Sequence, residues 1–582
     1  MSLFTKALDD HATGKQYGEN GHIEYSWNAT SLQERICQLN FQCVRNADLS
    51  ILNEKFSSIL HDIKAKLDRD ISSEEARQYL VILMKLVAQL RDIEEGKGER
   101  DITYMMIVSL YDYFPILSTL MVTHLISLGT NEIPYGSWKD MKYLCYYIQK
   151  TSNNSDHPLI RQCISMICEQ IKKDLEIAED SPEKISLCAR WVPRETSSPK
   201  FSWLFKKIAF EYYPEFIKTA HSVESRKKAT NKTFMTFARR LSYLNRKIDT
   251  VQIKMCGRTW AEIDHNKTTS VTLSKNKKAF LNKSNNKAAK YKEDRITCAN
   301  NFEEYIESRI STGKAIKGKN VALVDYVKQG LLNSIGIDNE IINAQWSDFM
   351  TKVGDIGNMV AMVDQSGSMA CYDGGDPYYA AIGLGVAIAE KSALGPRIMT
   401  FASNPRWISL ENVGSFSSKI QIIEKHDGLS GTGTDFFKAL NLILDSCIIA
   451  NLPNDIVSNM VLVILSDMQI NEADRSFMNE LSMQEKIDAK YRAAGYDKSP
   501  HILFWNLRST SGFPTVSTTK NCSMLSGFSP VLLNVFCQKG IDVLSSMSPW
   551  NLLVDSLSNM RYNIIDIECR QFFDENIRST HD

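Results

Sequence analysis

The chain has 582 residues, and its 68 Lys+Arg balance its 68 Asp+Glu, so any attraction to nucleic acid must come from local patches. That length exceeds what one hydrophobic core organises and calls for two or three domains. Thirteen scattered cysteines without a single Cys-x-x-Cys pair argue against a disulfide scaffold or a zinc ribbon, and for reduced, mostly buried thiols in a cytosolic compartment.

Residues 1–30 carry Gly14, Gly18 and Gly21 among mixed polar residues and read as an extended or poorly ordered arm, with no signal-peptide apolar core at its start. From Ser31 to about Lys218 apolar residues recur at helical spacing, as in Leu80, Leu83, Leu86 and Leu90. Breaks fall at Asp70–Glu74, Glu95–Gly98, Asn131–Ser137, Ser152–His157 and Ser181–Pro182. Helices joined by short polar turns predict an α-helical repeat domain over 31–350, HEAT-like, in the form of a solenoid or a ring of antiparallel pairs. The apolar stretch Tyr104–Leu128 is interrupted by Asp112, Pro115 and His124, which favours two buried helices over a membrane span.

Between Arg226 and Arg295 the balance shifts to 19 Lys/Arg against 5 Asp/Glu, interleaved with Phe234, Phe237, Tyr243, Trp260, Phe280 and Tyr291. Cations for phosphates and rings for unstacked bases are what an RNA surface needs. Arg239, Arg240, Arg246 and Lys247 nevertheless lie opposite an apolar side formed by Phe237, Leu241, Leu244 and Ile248, a pattern that also serves plain solubility.

From Asn358 strands alternate with helices, which predicts a doubly wound, Rossmann-like α/β domain over 351–582 with a mostly parallel sheet covered on both faces. The apolar run Met359–Val363 ends in Asp364-Gln365-Ser366-Gly367-Ser368, so three oxygen ligands stand at the carboxyl end of a strand, where such sheets bind their ligands. The glycine loop Leu429–Phe436 presents Thr432, Thr434 and Asp435, and the strand from Met460 ends in Ser466-Asp467. Hard oxygen donors of this kind suit Mg²⁺ or another divalent cation of similar hardness.

Asp-x-Ser-x-Ser, a Thr in a glycine loop and an Asp after a buried strand resemble the metal-ion-dependent adhesion site (MIDAS) of von Willebrand factor A domains. The resemblance implies that Ser366 and Ser368 bind the cation directly, that Asp364, Thr434 and Asp467 bind it directly or through water, and that a protein partner's acidic group completes the shell. Other chemistries lack their residues. Gly383-x-Gly385 has no third glycine and follows no strand, Gly96-Lys97-Gly98 lacks phosphate-loop spacing, and no His-Glu-x-x-His occurs. A non-enzymatic protein is expected.

A helical half followed by an A-type domain resembles the TROVE architecture of the Ro RNA-binding autoantigen. A closer resemblance is to the family called domain of unknown function 2828. It is carried by Arg91-Asp92 with Gly96-Lys97-Gly98-Glu99-Arg100, by Tyr135-Gly136-Ser137-Trp138-Lys139-Asp140, by Ala189-Arg190-Trp191-Val192-Pro193-Arg194-Glu195 and by Met524–Phe536. The Ro resemblance implies a ribonucleoprotein, and in a helical ring Arg91, Lys97, Arg100, Lys139, Arg190 and Arg194 would line the inner surface, with Lys97, Arg100, Lys139 and Arg194 expected to contact RNA. Trp138 and Trp191 read more simply as packing between helices. The Lys- and Asn-rich composition is similar to that of giant-virus proteins, which would place the protein in the host cytoplasm or the virion. Two expectations therefore stand side by side. One is an RNA-binding protein with a metal-dependent docking domain. The other is an interaction or structural component, associated with a virion, that works through the A-type domain without specific RNA binding.

Overall fold

The computed structural model describes residues 14–19, 21–129, 132–196, 198–283, 292–332, 336–371, 373–401, 405–425, 436–469, 481–537 and 541–581. Two compact units emerge, Met1–Ile102 with Arg309–Asp582, and Thr103–Ser308.

The first unit is built on a six-stranded sheet. In chain order its strands are β3 (Met359–Asp364), β4 (Arg397–Phe401), β5 (Arg406–Ser409), β6 (Val461–Ser466), β7 (His501–Asn506) and β8 (Cys522–Ser526), and in space they run β5-β4-β3-β6-β7-β8. All neighbours are parallel except the edge pair β4–β5. Every residue of β3, β6 and β7 is buried, as befits central parallel strands covered on both faces. Ala361 and Val363 face a core shared with the helix Asp376–Lys391, while Val360 and Met362 face one shared with the helix Phe436–Ile449. Gly383 and Gly385 serve that packing: a Cβ at Gly383 would meet Leu323 at 2.8 Å, and one at Gly385 would meet Val363 at 2.6 Å.

The helical segments on either side of the second unit in sequence, residues 31–102 and 309–350, belong with this sheet rather than with the other helices. Cys37 and Phe41 of the helix Leu32–Gln42 join one core, and Leu323 and Trp346 of the helices Leu323–Leu332 and Ile337–Met350 join the other. Trp346 stacks on Phe416 at 3.9 Å and donates to Glu390 at 2.9 Å. The C-terminal helix Asn563–His581 is tied to the helix Glu74–Arg91 by the Lys85–Asp566 ion pair. The described part of the arm includes two short strands. Its strands β1 (Lys15–Tyr17) and β2 (Ile23–Tyr25) form an antiparallel hairpin, and Tyr25 exchanges backbone bonds with Phe513 in the loop after β7.

The second unit is all helical. The helix Trp138–Ser152 starts with a capping box in which Ser137 and Asp140 satisfy each other's end groups. The other Asp140 oxygen accepts from the buried Tyr104 hydroxyl at 2.5 Å. Phe205, Phe234 and Phe237 pack together at ring separations of 5.6–5.7 Å, gathering the helices Pro199–Tyr212 and Val223–Ile248. Among the described residues no helix is long and apolar enough to cross a membrane; the stretch read from Tyr104 to Leu128 is two helices, Asp101–Tyr113 and Pro115–His124.

Candidate cation and docking site

Parallel pairing of β3 with β6 sets Val363 beside Leu465, so the next residues, Asp364 and Ser466, emerge together at the carboxyl edge of the sheet. Asp364 is fully buried. One of its oxygens accepts from the Ser366 amide at 2.8 Å and the other from the Ser466 hydroxyl at 2.5 Å. Ser366 and Ser368 turn their hydroxyls toward each other at 3.0 Å. Asp467, also fully buried, folds back so that one carboxylate oxygen accepts from the Gln469 amide at 3.0 Å. Met468 between them adopts a left-handed conformation at φ +63°, an uncommon backbone for a long side chain, and its amide donates to Ser466 Oγ at 3.1 Å.

Burial, and then the neighbouring Asp467 charge, push the Asp364 carboxyl up to about 7. Two carboxylates and two hydroxyls thus converge where negative charge is poorly solvated. That donor set fits a hard divalent cation, which would be held by the Ser366 and Ser368 hydroxyls with Asp364 and Asp467 behind them. The cation's chemistry would be charge neutralisation and an open position for an acidic ligand. Thr434 lies outside the described residues. Among those described, no group of three or more His, Cys, Asp and Glu that could hold a metal ion is found, here or elsewhere, so the candidate set rests on two carboxylates and two hydroxyls.

Four further residues complete the edge. Arg508 donates through Nε to Asp467 at 2.9 Å and through Nη2 to Glu19 of the arm at 2.7 Å. Glu19 in turn donates its amide to Gln469 Oε1 at 2.6 Å. Glu24, buried in β2, accepts from Gln16 at 2.8 Å and lies against Gly512, where a Cβ would come within 1.8 Å of its carboxyl carbon. Sequence reading passed over Arg508, Glu19 and Gln469, because nothing local marks a lone Arg or an arm glutamate as neighbours of Asp467.

The basic residues fall in different surroundings. Lys97 is not a surface contact, which corrects the expectation that it lines a ring. Its ammonium is buried and bonds to Asn40 O and Oδ1, Cys43 O and Ser526 Oγ at 2.7–3.3 Å, and burial lowers its pKa to about 8. Arg100 is exposed, in the first unit. In the helical unit Arg239, Arg240 and Arg246 are exposed along the helix Val223–Ile248, whereas Lys247 pairs with Glu179 at 2.6 Å. Lys139 joins a cluster the sequence did not single out. Its ammonium and that of Lys142 lie 5.3 and 5.4 Å from the Trp191 ring centre, and the Arg190 guanidinium lies 5.5 Å from it. Lys142 also stands 4.8 Å from Phe201, which it shares with Lys200, and Lys200 stands 3.8 Å from Tyr146. Burial, and then Lys200, hold the Lys142 pKa below its usual range. Arg194 is half-buried nearby in sequence, and burial lowers its pKa as well.

Residues 146–359 match the family model described as Domain of unknown function (DUF2828), and residues 358–549 match Domain of unknown function (DUF7788). The chain therefore carries a DUF2828-family domain, and the second match begins where β3 begins. The chain is also similar to the uncharacterized protein L728 of Acanthamoeba polyphaga mimivirus, at 29% identity over 476 residues, which is 78% of this chain and 76% of that protein.

Proposed function

We propose that the protein is a non-enzymatic interaction component whose α/β unit docks an acidic group of a protein partner through a divalent cation, in the manner of a von Willebrand factor A domain. The observation that carries this reading is the convergence of Asp364, Ser366, Ser368 and Asp467 at the ends of β3 and β6. Thr434 would complete the set. A place in a giant virion or its host's cytoplasm fits the mimiviral relative. Thermal unfolding with Mg²⁺ and with EDTA tests it. At a hundredfold excess over its dissociation constant the cation should stabilise the fold by about 3 kcal/mol. The gain should vanish in the double variant Ser366→Ala, Ser368→Ala. Equal melting of the wild type in Mg²⁺ and EDTA would refute the reading.

A second reading, RNA binding by the helical unit, is favoured by one observation, the gathering of Lys139, Lys142, Arg190 and Lys200 around Trp191, Tyr143, Tyr146 and Phe201. Like charges held together on stacking faces suit a single strand, whose phosphates and bases would answer both. This is also what the TROVE resemblance implies. A mobility-shift titration with small structured RNAs over a salt series decides it. A steep loss of affinity with salt supports RNA binding, and no complex at low salt removes it.

A further inference from the structure

At the opposite edge of the sheet from the cation site, the amino ends of β3 and β4 and the C-terminal half of the helix Phe436–Ile449 enclose a cavity of about 570 Å³. Its walls are aliphatic and sulfur-bearing, with Met359, Met399 and Met460 on the strand side and Ile443 and Cys447 on the helix side. Methionine-rich walls adapt to flexible apolar ligands. Water would find few partners inside, because the one hydroxyl on the wall, Ser446, already donates to Leu442 O at 2.7 Å. The mouth is apolar too: Trp407, Leu442 and Leu394 are 50%, 41% and 39% exposed. Cavities of this volume with apolar walls and a single polar anchor are the usual form of small-molecule sites.

Among the described residues the one charged side chain on the wall is Arg397. Its guanidinium donates to Leu394 O at 3.3 Å and to Glu411 at 2.5 Å, which uses two of the five N–H groups a guanidinium carries. Gly395 makes this placement possible. It sits at φ +83°, and a Cβ there would come within 2.7 Å of Arg397 Nη1. Among the described residues Trp407 at the rim is the only aromatic side chain of the lining, so they offer no paired stacking platform for a flat ring. We propose that this cavity is a binding site for an aliphatic amphiphile with one acidic group, of the fatty-acid class, its chain among the three methionines and its carboxylate on Arg397. The proposal does not depend on the cation site.

Isothermal titration of the full-length protein with decanoate, decylammonium and decanol tests it. Decanoate should bind saturably at one per chain, and about tenfold or more tighter than either of the others. Arg397→Met should bring decanoate down to the level of decanol. Ser446→Trp, at an exposed helix position, should block all three while the melting temperature stays unchanged. Absence of saturable decanoate binding, equal binding of decanoate and decylammonium, or undiminished binding to folded Ser446→Trp would each overturn it. So would a ligand-free dimer that Ser446→Trp dissociates, since a second copy of the chain would then be the occupant.

Discussion

Arg508 in the α/β unit and Lys142 in the helical unit are both drawn partly out of water, yet their neighbours differ in sign. Arg508 lies between two carboxylates, Asp467 and Glu19. Lys142 lies among rings, and after burial it is the Lys200 charge that lowers its pKa. The same contrast runs through the α/β unit's other buried charges, where Arg561 pairs with Asp92 at 2.8 Å and Lys97 is enclosed by oxygens. Opposed buried pairs fix geometry, which a docking edge requires. Like charges gathered on aromatic faces set up a positive field of the kind a polyanion would satisfy.

Removing one partner should therefore matter far more in the first unit than in the second. Arg508→Met leaves Asp467 buried beside Asp364 without its cation, and should cost about 3–5 kcal/mol in urea unfolding. A loss comparable to a surface substitution would break the contrast.

Acid should reach the α/β unit through His501 next. Its Nδ1 faces Leu544 O at 3.1 Å and its Nε2 faces Ser523 Oγ at 2.9 Å, so the neutral ring donates from the first and accepts at the second. Burial depresses its pKa from 6.5 to about 4. The unfolded chain therefore takes the proton first. Stability is full above pH 6.5 and falls as pH drops from 6.5 to about 4, by about 3 kcal/mol in total. A urea midpoint that stays level across that window would contradict the burial argument, and His501→Gln should flatten it.

In the helical unit the expected effects fall on binding. Lys142→Ala with Lys200→Ala should lower the slope of log affinity against log salt by about 1.4 for a single strand. Trp191→Ala should cost about 1–3 kcal/mol of RNA affinity. The smallest effect is on stability: Lys200→Met should change it by no more than about 0.5 kcal/mol, and should let the Lys142 pKa, followed by NMR, rise toward its usual range.

The places of Asp364 and Asp467 at the sheet's carboxyl edge were legible because both follow apolar runs. Val461–Leu465 announces a buried strand, and a carboxylate two residues on can only lie at its carboxyl end. The doubly wound sheet followed from the same alternation of strands and helices. Other features depend on distant partners. β8, Cys-Ser-Met-Leu-Ser, has neither β-branched residues nor a polar face, and is a strand because it pairs with β7. The three-residue strands of the arm are held by Phe513 and by Glu24 against Gly512, far away in sequence. Lys97 reads as a surface cation, and its acceptors come from residues 40, 43 and 526. Helical spacing shows which face of a helix is apolar but not which core it joins, so the helices of 31–102 and 309–350 could not be assigned to the sheet from periodicity.

The central claim is that the edge of β3 and β6 holds a cation ready for an acidic ligand. Titration of Mn²⁺ followed by electron paramagnetic resonance tests it most directly, on the full chain, before and after adding an acidic peptide. One Mn²⁺ per chain, lost in Ser366→Ala, Ser368→Ala and perturbed by the peptide, is the predicted result. No saturable binding, or binding that survives in the double variant, would contradict it.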